Sequence, residues 1–120
     1  MTRSVFGSWK PVSVVMAGNP FDQDLINTMS LVLSEEEYLA EVDGTPDRGT
    51  CTFDTSTDPQ RIQIVGTEGP NAGKTFLAVY DFADNGDVRL AYDLTGAAYP
   101  TGFESTAENG LFVVTYRRVK

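Results

Sequence analysis

Apolar side chains occupy every second position from Phe76 through Ala78 and Tyr80 to Phe82, pause at Asn85-Gly86, and resume at Val88, Leu90, Tyr92 and Leu94. Successive side chains of a strand point to opposite faces, so a run of this kind buries one face of a sheet. Asn-Gly accepts the positive φ that a tight hairpin turn demands, which makes the two runs antiparallel neighbours.

The same period recurs along the chain. A first strand is expected from Val5 to Met16, with Pro11 at an edge or bend because proline cannot donate to a ladder. Met29, Leu31 and Leu33 mark a second strand. Tyr38, Ala40 and Val42 mark a third, ending at Asp43-Gly44. Gly49, Cys51 and Phe53 mark a fourth, Ile62 and Ile64 a fifth, and Leu111 to Arg118 the last. One helical turn is expected between the first two strands, opened by Asn19-Pro20 with Leu25, Ile26 and Met29 on one side. Eight short strands joined mostly by tight turns predict an all-β, antiparallel eight-stranded barrel, whose closure removes exposed edges. A sandwich of two sheets is the alternative.

With 120 residues, the chain is expected to form a single domain over 1–120. A chain of this length buries roughly two-thirds of its unfolded surface, enough for a core without staples. Cys51 is the only cysteine, so no internal disulfide forms. The start at Met1-Thr2-Arg3-Ser4-Val5 has no apolar signal region, which slightly favours a cytoplasmic location. No apolar run is long enough for a transmembrane helix. The net charge of −8 makes nucleic acid and anionic membrane poor partners, since phosphate neutralisation needs a basic surface. The expected state is a soluble monomer or weak homodimer.

Gly7-Ser8-Trp9 resembles the Gly-x-Trp signature of lipocalin-type barrels. The resemblance implies a tryptophan closing one barrel end, with Arg118 of the last strand packed over it. Such a cation–aromatic pair contributes about 0.5–2 kcal/mol. More of the chain is similar to the planctomycete-type lipocalin-like domain of unknown function. The similarity lies in Gly7-Ser8-Trp9-Lys10-Pro11-Val12-Ser13-Val14, Arg48-Gly49-Thr50-Cys51-Thr52-Phe53 and Thr67-Glu68-Gly69-Pro70-Asn71-Ala72-Gly73-Lys74-Thr75. Pro100-Thr101-Gly102-Phe103 and Tyr116-Arg117-Arg118 complete it. The sequence departs from that pattern at Ala91 and Tyr92, where a smaller sulfur-containing residue followed by Phe is expected. The resemblance implies a lipocalin-like barrel and brings no established activity or catalytic residues.

Motifs that suggest other chemistry do not survive inspection of their spacing. A nucleotide loop needs a glycine five residues before Gly73, where Glu68 stands, and must open a helix. The residues after Thr75 alternate as a strand, so Gly69 to Lys74 is expected to be a six-residue loop. Asp81 to Tyr92 has the outline of a calcium loop, but Ala83 and Tyr92 occupy ligand positions. At most Asp84 and Asp87 bind calcium weakly at the surface. The chain has no histidine, which removes the commonest general base and zinc ligand. No metal site, cofactor or catalytic constellation is expected, and a hydrolase is the least favoured reading.

The aromatic inner face carries the functional expectation. Trp9, Phe53, Phe76, Tyr80, Val88, Leu90 and Tyr92, with Phe82 and Tyr99 beside them, fall on or near the dry side. In a small barrel that face is either filled or left hollow for one ligand. The first alternative gives a structural or interaction domain. The second gives a binding module for a small hydrophobic or amphipathic molecule, lined by those seven residues. Gly7, Trp9 and Arg118 are expected to close the barrel. Leu77 and Val79 point outward and would leave an apolar outer patch.

Overall fold

In the computed structural model, residues 5–119 are described. Met1–Ser4, where the absence of a signal region was read, and Lys120 of the terminal basic run lie outside the described residues. Among the described residues the strands are β1 (Gly7–Met16), β2 (Asn19–Pro20), β3 (Ser30–Leu33), β4 (Glu37–Val42) and β5 (Thr45–Asp54). β6 (Gln60–Glu68), β7 (Thr75–Phe82), β8 (Val88–Asp93) and β9 (Phe112–Arg118) follow, and one short helix, α1 (Gln23–Ile26), lies between β2 and β3.

From β3 onward each strand pairs with the next, antiparallel throughout. β1 pairs with β3 on one side and with β9 on the other, so eight strands close on themselves. A two-sheet sandwich is therefore excluded. The closing ladder runs from Trp9 opposite Arg118 to Met16 opposite Phe112, with an irregularity between Pro11 and Ser13. A proline that cannot donate to the ladder accounts for a bulge there.

Two boundaries differ from the sequence expectation. Asn19-Pro20 does not open the helix. Ala17 and Gly18 both take positive φ, of 51° and 84°. That geometry makes a two-residue hairpin, and it returns Asn19 and Pro20 to pair with Met16 and Val15. The helix then begins at Gln23, and Met29 falls beyond its end. The first strand starts at Gly7 rather than Val5. The loop expected at Gly69 to Lys74 lies between β6 and β7, and Thr75 opens a strand, not a helix.

The inner face is packed at one end. Trp9, Leu33, Ile62, Tyr80, Val88, Leu90 and Val114 are almost fully buried. Phe6, Phe53, Tyr80 and Phe82 form a chain of edge-to-face contacts with ring centres 5.2–6.3 Å apart. Asp87, just after the β7–β8 turn, accepts Arg117 Nε and Nη2 at 3.2 and 3.1 Å, and Asn85 Nδ2 at 3.2 Å. These contacts lie at the end that holds the β7–β8 turn and the end of β9.

The outer apolar patch expected at Val79 is covered. Val79 is 2% exposed and its β8 neighbour Ala91 is 0% exposed. Tyr99 and Phe103, in the long connection from β8 to β9, stack on Arg61 and Arg89 at 4.6 and 4.3 Å. Arg61 is the partner of Val79 across β6, and Arg89 follows Val88 on β8. The connection thus lies against the outward face that Val79 shares, and leaves Leu77 half-buried.

Candidate functional site

The opposite half of the barrel is hollow. A cavity of about 290 Å³ opens between the end of β1, the β4–β5 hairpin, the β6–β7 loop and the start of β9. Its walls are mostly apolar, from Met29, Leu31, Ile64, Phe76, Leu94 and Phe112 among others. Phe21, on the segment after β2, covers one side. Its N–H is bonded to Val14 O at 2.9 Å, and its ring lies 5.9 Å from that of Phe112, which in turn lies 5.4 Å from Tyr92.

Period two places side chains inside, but not at a given depth along the barrel axis. Of the seven residues expected to line a pocket, Phe76 and Tyr92 do so. Trp9, Tyr80, Val88 and Leu90 belong to the packed half, and Phe53 sits in its aromatic chain. Gly7, Trp9 and Arg118 meet at the packed end: the Arg118 guanidinium lies 4.2 Å from the Trp9 ring centre. Trp9 Nε1 donates to Val5 O at 2.8 Å, and Arg118 Nη1 donates to Phe6 O at 2.9 Å.

The polar groups of the hollow half were not singled out by the sequence. Tyr92 and Tyr116, from β8 and β9, bring their hydroxyls to 3.2 Å. Burial holds the Tyr92 hydroxyl well above the usual phenol range and pushes Tyr116 up to about 12. Nearer the mouth, the Tyr38 hydroxyl donates to Asp47 Oδ1 at 3.4 Å, and Asn71 Nδ2 donates to Asp47 Oδ2 at 2.6 Å. Burial, and then the Asp47 charge, raise Tyr38 to about 12. All these phenols are neutral donors at ordinary pH. Glu41 and Ser30 complete the polar rim, and among the described residues no lysine or arginine lines the cavity.

Two glycines allow this cluster to form. A Cβ at Gly49 would meet Val65 O and lie 2.8 Å from Cε1 of Tyr38, so only glycine lets that ring lie over β5. A Cβ at Gly66 would meet Asn71 O, and its absence lets the β6–β7 loop fold inward toward Asp47. The loop is held there by backbone bonds from Gly66 N to Lys74 O and from Gly73 N to Gly66 O, both 2.9 Å. The Glu68-to-Thr75 stretch thus shapes the rim of a cavity rather than a phosphate cradle.

Cys51 packs in the core, its Sγ 3.5 Å from Ser34 O, and burial pushes the thiol up to about 11. A thiol held protonated is a poor nucleophile. Asp87, one of the two acids considered for weak calcium binding, is bonded to the Arg117 guanidinium. Among the described residues no group of three or more metal-ligating side chains occurs, and no helix is long and apolar enough to cross a membrane. No family model, curated protein or solved structure matches the chain.

Proposed function

We propose that the protein is a binding module that holds a small hydrophobic or amphipathic molecule in the open half of its barrel. The observation that carries this reading is the division of one inner face into a packed half and a hollow half of about 290 Å³. Ligand pockets run from about 300 to 1,000 Å³, lined by apolar walls with a few placed polar groups. An eight-stranded barrel is just wide enough to hold one small guest. Gly7-Ser8-Trp9 and Arg118 also support kinship with lipocalin-like domains, within which this reading is natural. A binder is favoured over a catalyst because the rim offers phenols, carboxylates and an amide, and the chain has no histidine.

The test is native mass spectrometry of gently purified protein, followed by titration with naphthalene read by its own fluorescence. Uptake at one site is expected, and Ala40→Trp, which fills the void from its wall, should abolish it without unfolding the barrel. No retained mass and no naphthalene uptake by the parent protein would overturn the reading.

A further inference from the structure

Resting on that binding reading, we propose that the cavity selects a compact one- or two-ring molecule with an uncharged hydrogen-bond acceptor at its inner end and an amino group at its outer end. The inner requirement follows from counting hydrogens. Tyr92 and Tyr116 bring two O–H groups to one O···O contact of 3.2 Å, and either oxygen can be the donor. One hydrogen fills that contact, and the other has no acceptor among the described residues. Both residues are at least 94% buried and both line the cavity, so the surplus donor lies inside the barrel. A buried donor left unmade is costly, and an acceptor on a guest relieves it.

The outer requirement follows from charge. The rim carries Glu41 and Asp47 and, among the described residues, no basic side chain. Neither carboxylate is in an ion pair among the described residues, unlike Asp81 with Arg89 and Asp87 with Arg117. Asp47 accepts one bond on each oxygen, from Tyr38 and Asn71, and a carboxylate has about four acceptor positions, so it can take more. An ammonium is attracted there, and a carboxylate is repelled, the more so in a chain of net charge −8. Size sets the third requirement. A cavity of about 150 Å³ takes one benzene ring, and this one is 290 Å³, which admits a fused pair of rings and excludes a tetrapyrrole or long acyl chain.

The test compares 6-(aminomethyl)quinoline with 2-(aminomethyl)naphthalene, quinoline-6-carboxylate and naphthalene by calorimetry on the full chain. The aminomethylquinoline should bind about tenfold tighter than its naphthalene counterpart, and the carboxylate should bind weakest. Hydrogen counting also predicts an unusual variant pattern. Tyr92→Phe and Tyr116→Phe each remove one donor and the contact that consumed one, so each keeps a spare donor and the quinoline preference. The double variant has none and should lose the preference while still binding naphthalene; a purely structural role for the pair would not produce this pattern. Equal binding of quinoline and naphthalene amines, or tighter binding of the carboxylate, would overturn the proposal and leave the binding module standing. Binding of none of the four would overturn both.

Discussion

The Arg118 guanidinium lies 4.2 Å above the Trp9 ring, and the two residues are direct partners in the β1–β9 ladder that closes the barrel. The first and last strands are therefore joined by side chains as well as by backbone. Gly7 makes this possible: a Cβ there would lie 2.6 Å from Arg118 Nη1, and its φ of +126° suits glycine alone. One end of the barrel is pinned in this way.

Replacing Arg118 with Met keeps most of the apolar stem but removes the cation and the bond to Phe6 O. The expected loss is about 1–2 kcal/mol, the range of a cation–aromatic pair plus part of a hydrogen bond. Trp9, the sole tryptophan, reports it directly as a lower urea midpoint in fluorescence-monitored unfolding. An unchanged midpoint would show that the stacking contributes nothing to closure.

Gly66→Ala places a methyl group against the backbone oxygen of Asn71, which cannot retreat without moving the loop. The expected cost is about 3 kcal/mol or more, at the upper end of overpacking, together with loss of the Asn71–Asp47 contact. Gly102→Ala is the control, because nothing lies within 4 Å of its Cβ position. It should shift stability by less than about 1 kcal/mol, in the stabilising direction if at all. Chemical denaturation of both variants separates a steric demand from the general effect of losing a glycine.

The hairpins were legible from residues alone because period two and Asn85-Gly86 report local physics. The alternation of Phe76 to Phe82 and of Val88 to Tyr92 appears as β7 and β8, paired in register from Phe82 opposite Val88 to Leu77 opposite Asp93. What alternation cannot carry is depth. Tyr80 and Phe76 face the same interior, yet Phe76, at the start of β7 beside the β6–β7 loop, lines the cavity, and Tyr80, four residues further along, lies in the packed half. Asp47 and Asn71 were illegible for a different reason. They lie 24 positions apart and meet only because Gly66 and Gly69 let the loop approach the β4–β5 hairpin. Asn19-Pro20 misled because a proline-initiated helix and a hairpin return share the same local signal, and the positive φ of Ala17 decided between them.

Alkaline pH should destabilise the barrel through its phenols. Burial pushes Tyr38 and Tyr116 up to about 12, and raises Tyr80 and Tyr92. An unfolded tyrosine titrates near 10, so above that pH the unfolded chain releases protons that the native state retains. Stability is then complete below about pH 10 and falls as pH rises through the folded values. Urea midpoints measured across this range should drop steeply, and phenolate absorbance should appear together with unfolding. The Tyr92→Phe, Tyr116→Phe double variant should show a shallower fall. A midpoint independent of pH would mean that these hydroxyls ionise freely in the folded state.

The acid limb has the opposite sign and a different origin. Asp87 is 7% exposed, and bonds from the Arg117 guanidinium, outweighing the cost of burial, hold its carboxyl below the usual range, with a further contribution from Asn85. A depressed folded value means that stability is present above the unfolded pKa of about 3.9 and is lost as pH falls through the folded one. Asp87→Asn cannot titrate, so it should lower stability at neutral pH and flatten the acid slope at once. Asp54 and Asp93 are also depressed, by bonds from Ser56 and Thr95 within their own turns. Their aspartate-to-asparagine variants should change the acid slope less, because a local turn partner remains available when the chain is unfolded, whereas Arg117 lies 30 positions from Asp87 and meets it only when β9 is in place. Urea unfolding of the three variants between neutral pH and the onset of acid denaturation checks the ranking. A larger change from Asp54→Asn or Asp93→Asn than from Asp87→Asn would refute it.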